Sequence, residues 1–213
     1  MLRRPILCVI LVVGCQKDPA PAPAPSASAS ASAAPAPVPA ETRTAWWTLA
    51  SKSKVFTEDR RVEADNRLKM LPADQRMRVI SFLDRMAAQE TTGAGFHDAA
   101  QLARDAQDQI RDPNASASDH SPVFRTIAEA SLIVLSGLVA KACTEHADVA
   151  SLKTLVASIR QAPLPRIPAP GIGQLSDGRH ERNEIEQEIQ MALDAKTYQA
   201  AIAGAPSPAK NAP

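Results

Sequence analysis

Residues 127–140 read IAEASLIVLSGLVA, and this stretch decides the fold of the 213-residue chain. Apolar residues occupy nearly all of its positions, so a helix formed from it is hydrophobic on every side and belongs inside a bundle of other helices. The apolar segment starts after Ser121-Pro122 and ends near His146. It falls short of the roughly 20 consecutive apolar residues that cross a membrane. We therefore expect a central core helix.

Gly137 lies in the middle of this predicted helix, where a glycine costs about 1 kcal/mol relative to alanine. A close crossing of a second helix at this position would explain the glycine, and so would chance. The sequence alone does not choose between the two.

Apolar residues recur with helical spacing on both sides of the central segment, and no strand-like alternation is found. The predicted helices cover residues 44–56, 57–71, 72–90, 99–110, 121–146, 149–159 and 176–201. Helix-on-helix packing is the one layer architecture open to such a chain. We predict an all-α fold, an irregular bundle of six or seven helices, with no 34-residue repeat.

Three local signals set boundaries between these helices. Thr57 is a plausible N-cap because Glu58 and Asp59 follow it in the first turn, where the helix dipole favours anions. Pro72 suits the first position of the next helix. The Pro/Gly-rich stretch 163–173 cannot continue a helix and is predicted to be a connection.

The N-terminus carries two arginines, then a short apolar run over residues 5–13, and ends in Val12-Val13-Gly14-Cys15. This order and spacing resemble the signal peptide and lipobox of bacterial lipoproteins. The resemblance implies that residues 1–14 are removed and that Cys15 receives a diacylglyceryl group and an acylated amine. An ordinary secretory signal with a chance cysteine, or a retained signal anchor, is the alternative. Gln16 in place of Asp resembles default routing to the outer membrane.

Residues 18–40 consist almost entirely of Pro, Ala and Ser. Such a segment buries too little apolar area to offset the entropy of ordering it, so we expect a disordered spacer. The predicted organisation is a signal peptide (1–14), a lipidated cysteine plus linker (15–40), one helical domain (41–203) and a disordered tail (204–213).

The net charge is +1, and loss of Arg3 and Arg4 leaves 22 Lys/Arg against 23 Asp/Glu. This balance argues against nucleic acid as a partner. The charge is uneven, because residues 52–85 carry nine basic and six acidic residues, and residues 177–196 carry three basic and six acidic ones. These runs are either solvated helix faces or a polarised surface with one face for a partner.

Two groups of residues have the spacing of metal ligands. Cys143 and His146 share one face of a helix, and His180, Glu184 and Glu188 follow each other at intervals of four. The first pair lacks further ligands and equally fits a buried cysteine beside a solvent-facing histidine. The second set equally fits an exposed acidic helix. We predict no metal site and no cofactor.

Catalytic motifs are missing from the sequence. A Cys143 nucleophile would need a histidine and an orienting Asn or Asp gathered around it, and nothing in the pattern indicates this. No GxSxG, Walker, GxGxxG or HExxH motif occurs. We therefore predict no catalytic or cofactor-binding residues, and favour a protein that is not an enzyme.

Two smaller features concern possible partners. Trp46-Trp47 lies where the linker meets the domain, and one of the two rings is predicted to pack in the core, which leaves the other over. The alternative is an aromatic residue that faces the membrane or binds a partner. Residues 71–76, LPADQR, resemble the Leu-Thr-x-x-Gln helix start of periplasmic stress chaperones and metal-resistance sensors.

Together these features predict a non-catalytic cell-envelope lipoprotein, an interaction or scaffolding module held on the periplasmic face of the outer membrane of a Gram-negative bacterium. Its partners would be the membrane, through the lipid on Cys15, and an envelope protein or a cell-wall structure. The alternatives are a periplasmic stress chaperone or metal sensor, and an enzyme with an unrecognised site.

Overall fold

The computed structural model describes residues 44–110, 122–167 and 178–208, which belong to one compact unit, Ala40–Pro213. These ranges contain eight helices and no strand, so the predicted all-α class is confirmed. The signal peptide, Cys15 and the linker lie outside the described residues. The helices are α1 (Ala45–Ala50), α2 (Glu58–Lys69), α3 (Ala73–Ala87), α4 (Gly93–Ile110), α5 (Pro122–Glu145), α6 (Val149–Gln161), α7 (Arg179–Ala192) and α8 (Ala195–Ile202).

Helix α5 is the centre of the bundle, as its apolar sequence predicts. It contacts α1, α2, α3, α4 and α7, while α6 packs against α4, α7 and α8. From its sequence, this segment is predicted to fall short of a membrane span. In length and hydropathy that prediction is wrong, since residues Val123–Glu145 are long and apolar enough to cross a membrane. However, 83% of the most apolar window is buried inside the fold. The neighbouring helices therefore take the place that lipid would have.

Gly137 marks a close crossing of α1 over α5. A β-carbon built on Gly137 would lie 2.3 Å from the carbonyl oxygen of Leu49 and 3.1 Å from the Cα of Ala50. The crossing, rather than chance, explains the glycine, because α1 could not approach so closely over any side chain.

Two predicted helix starts are shifted in the structure. Pro72 is the N-cap of α3 and not its first helical residue, since its ψ of 144° is extended. Helix α4 begins at Gly93, inside the predicted break, because the hydroxyl of Thr92 accepts a hydrogen bond from the amide of Gly95. A β-carbon at Gly95 would lie 2.2 Å from the carbonyl oxygen of Glu90, so this tight start requires glycine.

The last predicted helix is two helices, which raises the total from six or seven to eight. Leu193 is extended, and the Asp194 carboxylate accepts hydrogen bonds from the amide of Thr197 at 2.9 Å and from its hydroxyl at 3.0 Å. The amide hydrogen bond also lowers the pKa of Asp194. Aspartate side chains compete for backbone groups in this way, which interrupts one helix and caps the next.

Beyond α8, the chain still contacts the bundle. The guanidinium of Arg160 donates to the carbonyl oxygens of Ala205 and Pro206 at 3.2 and 3.1 Å. These two residues belong to the segment predicted as a disordered tail, and residues 209–213 of that segment lie outside the described ranges.

Candidate functional site

A buried carboxylate, Glu188, organises the most extensive polar cluster in the described part of the chain. Its side chain is fully buried on α7. Oε2 accepts hydrogen bonds from the hydroxyls of Ser53 and Ser136, both at 2.7 Å. The amides of Lys54 and Val55 donate to the same carboxylate at 2.9–3.0 Å. We call these five residues the Glu188 cluster.

The loop between α1 and α2 is shaped by this cluster. The predicted first helix, 44–56, ends at Ala50, because the amides of Lys54 and Val55 donate to the Glu188 carboxylate instead of continuing the helix. Ser53 also contacts Ser136 at 2.9 Å and accepts from the amide of Phe56 at 3.0 Å. The carboxylate thus joins three parts of the chain and accepts from four protein donors, all of which reach Oε2.

The residues with the spacing of metal ligands, His180, Glu184 and Glu188, are divided between two environments. His180 Nε2 lies 3.8 Å from Glu184 Oε1 on the surface, and Arg60 Nη1 donates to that same oxygen at 2.8 Å. Arg60 also stacks over the ring of Phe56, 4.4 Å from its centroid. Glu188 is enclosed in its own cluster. Within the three described ranges, no group of three or more His, Cys, Asp or Glu residues could hold a metal ion.

The side chains of Cys143 and His146 also lie in different environments. Cys143 is buried, and this burial, with a smaller contribution from the negative charge of Glu188, raises the pKa of its thiol to about 11. The ring of His146 contacts Thr91 instead, with Nε2 3.1 Å from Oγ1. Thr91 gives its single hydroxyl proton to Glu145 at 2.7 Å, so His146 must donate through Nε2.

The contact between His146 and Thr91 lies beside a cavity of about 140 Å³ between α4, α5 and α6. Its lining combines the hydroxyl groups of Thr91, Thr92, Ser151 and Thr154 with apolar side chains such as Leu152. The hydroxyls of Thr92 and Thr154 bind backbone atoms of their own segments. These two hydroxyls therefore stabilise the local backbone of α4 and α6.

Cys143 offers a direct chemical test of the fold. In the chain from Gln16 to Pro213 it is the sole cysteine, since Cys8 and Cys15 precede that range. With a thiol pKa of about 11, only about one molecule in a thousand is a thiolate at pH 8. We expect Ellman's reagent to react slowly with the folded chain and within minutes after addition of urea. Fast labelling without urea would contradict the burial of Cys143.

The tryptophan pair follows the predicted division of roles. Trp46 lies in the core, with 2% of its surface exposed, and its amide donates to Asp84 Oδ1 at 2.9 Å. Trp47 is half-buried and meets Trp46 edge-to-face, with ring centroids 5.5 Å apart. The residues that resemble the chaperone helix start form a regular turn, in which Leu71 is buried and Pro72 caps α3.

The outer face of α3 carries a shallow open groove of about 500 Å³ that sequence reasoning missed. It is lined by Met77, Ile80, Ser81, Asp84, Arg85 and Ala88. The sequence spacing could have indicated this groove. Met77, Ser81, Asp84 and Ala88 share one face of the helix, and the buried residues lie on the opposite face.

Comparison with known proteins gives no further guide to this site. No family model, no curated protein and no solved structure matches the chain.

Proposed function

We propose that this chain is a lipid-anchored envelope lipoprotein whose helical domain is a non-catalytic interaction module. The observation that carries the proposal is the motif Val12-Val13-Gly14-Cys15, placed after a short apolar run and before a Pro/Ala/Ser spacer. Two or three acyl chains on Cys15 would give stable membrane attachment, because each buried methylene contributes about 0.8 kcal/mol.

The chemistry of the domain supports a binding role over catalysis. Glu188 is occupied by four donor groups, and the Cys143 thiol is buried and protonated at neutral pH. A general base or a nucleophile must be able to contact a substrate, and its pKa must lie near the pH at which the enzyme works. These two groups are instead used to hold helices together.

A spacer of this composition would separate the anchor from the domain. At about 3.1 Å per residue, extended polyproline over residues 18–40 reaches several tens of ångströms. In the envelope of a Gram-negative bacterium, this reach would let a domain on the periplasmic face of the outer membrane bind an envelope protein or the cell wall.

Mass spectrometry of the mature N-terminus tests the anchor. We expect the full chain, expressed in a Gram-negative bacterium, to begin at an acylated Cys15. The variant Cys15→Ser should keep residues 1–14 and carry no lipid, because the thiol is the acceptor of the diacylglyceryl group. Cys8→Ser is the matched control and should be processed normally. An unmodified Cys15 in the wild-type chain would refute the proposal.

Crosslinking in cells, with a tag on the C-terminal segment 204–213, tests the module. One dominant envelope protein or cell-wall fragment that co-purifies with the wild-type chain supports it. Many unrelated clients would instead favour the chaperone. Hydrolysis of envelope polymers or model esters that is lost in Cys143→Ala would favour the enzyme.

A further inference from the structure

We propose that the outer face of α3 docks the helical domain onto the anionic lipid surface of the membrane to which the chain is anchored. This inference rests on the proposed lipid anchor, and it assigns a ligand class to the groove on α3. The face comprises Met77, Arg78, Ser81 and Arg85, together with Ile80 at its edge.

Two strongly exposed methionines lie on α3 and just before it. Met70, at the turn before α3, is 85% exposed, and Met77 is 65% exposed. These are the two most exposed large hydrophobic residues in the described ranges, and Val62 on the neighbouring helix α2 is exposed by 42%. Met77 lines the same open groove as Ile80 and Ala88, so the face offers an apolar strip along α3 that Ser81 and Asp84 interrupt.

Cationic groups flank the same strip. Arg76 and Arg78 stand on either side of Met77, and Arg85 lines the groove two turns later. None of the three makes an ion pair with a carboxylate of the described residues, whereas three of the four basic residues of α2 do. Those α2 pairs are Arg60–Glu184, Arg67–Glu129 and Lys69–Asp65. Arg85 stacks over the ring of Phe82, 5.6 Å from its centroid.

The acidic groups near the strip are few and partly engaged. Asp84 lines the groove, but its Oδ1 accepts the amide proton of Trp46 at 2.9 Å, which holds the carboxylate toward α1. Asp74 lies in the first turn of α3. Helix α3 as a whole carries three arginines against these two carboxylates, a net charge of +1, while the mature chain is close to neutral.

An apolar strip between cations is the chemistry that binds an anionic bilayer surface. Apolar side chains enter the headgroup boundary, and each Lys or Arg near the surface contributes about 1 kcal/mol. An acidic protein surface would also match these arginines, and the proposed position of the chain at the membrane favours lipid. The covalent anchor keeps the domain close to the bilayer, so even weak docking would be populated.

Flotation with lipid vesicles tests the proposal on the chain Gln16–Pro213, which contains the entire compact unit. Vesicles of phosphatidylcholine are compared with vesicles that also contain phosphatidylglycerol. We expect the chain to bind the anionic vesicles more tightly, and to lose that preference at high salt because screening weakens exposed charges. The double variant Arg78→Gln/Arg85→Gln should bind about thirtyfold more weakly.

The matched control is Lys153→Gln/Lys196→Gln, which removes the same charge from exposed positions on α6 and α8. Its affinity should equal that of the wild-type chain. Met77→Ser should weaken binding with no change in charge. Equal binding to both kinds of vesicle, or equal weakening by the two double variants, would overturn the proposal.

Two further results separate this inference from its alternatives. If Arg78→Gln/Arg85→Gln abolishes crosslinking to an envelope protein and leaves vesicle binding unchanged, the face binds protein and the lipid proposal is overturned. The state of Cys15 does not enter the vesicle assay, because the tested chain begins at Gln16. Failure of docking and failure of lipidation are therefore distinguishable.

Discussion

Replacement of Glu188 by alanine is expected to lower the free energy of unfolding by about 4 kcal/mol, since the change removes the shared acceptor of two hydroxyl and two amide donors. The two hydroxyls can still pair with each other, but the two amides lose their acceptor. The four donors come from Ser53, Lys54, Val55 and Ser136. Urea unfolding followed by circular dichroism measures the loss, which is a large part of the 5–15 kcal/mol typical of a domain.

Two variants calibrate this result. Glu188→Gln keeps the shape and one acceptor oxygen, which at the Oε2 position can still accept from all four donors. Its NH₂ group replaces Oε1 and cannot accept from the Lys54 amide there, so we expect a loss smaller than that of Glu188→Ala. Glu63→Ala removes an exposed carboxylate from a surface pair with Arg67 and should change stability by no more than about 0.5 kcal/mol. If Glu188→Ala is no more destabilising than Glu63→Ala, the cluster does not hold the fold together.

Replacement of Gly137 by alanine is expected to destabilise the protein by about 3 kcal/mol, although alanine is the better helix former by about 1 kcal/mol. The new methyl group would meet backbone atoms of Leu49 and Ala50, at 2.3–3.1 Å. Backbone cannot rotate aside as a side chain can, so α1 must move away from α5. Thermal and urea unfolding measure the effect, and Trp46 fluorescence should report the displacement of α1.

Gly93→Ala is the comparison, because the closest atom to its β-carbon is the hydroxyl oxygen of Ser158 at 2.6 Å. That side chain can change rotamer, although the carbonyl oxygen of Thr154 at 3.0 Å limits the relief. We expect a smaller loss than for Gly137→Ala. A Gly137→Ala protein as stable as the wild type would mean that α1 does not cross α5 at this residue.

The candidate sites show how far spacing alone predicts function. Glu184 and Glu188 have the same helical pattern in the sequence, yet one forms a surface pair with Arg60 and the other is enclosed. The donors that enclose Glu188 come from residues more than 130 positions away, except for Ser136. No local pattern carries information about such a partner.

The sequence by itself determined the helical class and the central position of α5. Hydrophobic periodicity acts within one helix, and an apolar surface on all sides can be satisfied only by burial among other helices. It also determined that Trp46-Trp47 would be divided between core and edge, because adjacent residues of a helix point in different directions.

Only the tertiary structure decided the role of Glu188, the meaning of Gly137 and the exposure of Met77. Each depends on what lies opposite the residue in space. Glu188 meets hydrogen-bond donors from distant segments, Gly137 meets the backbone of a crossing helix, and Met77 faces solvent. The free energy of a buried charge or a missing side chain is set by that distant neighbour, which the local sequence does not specify.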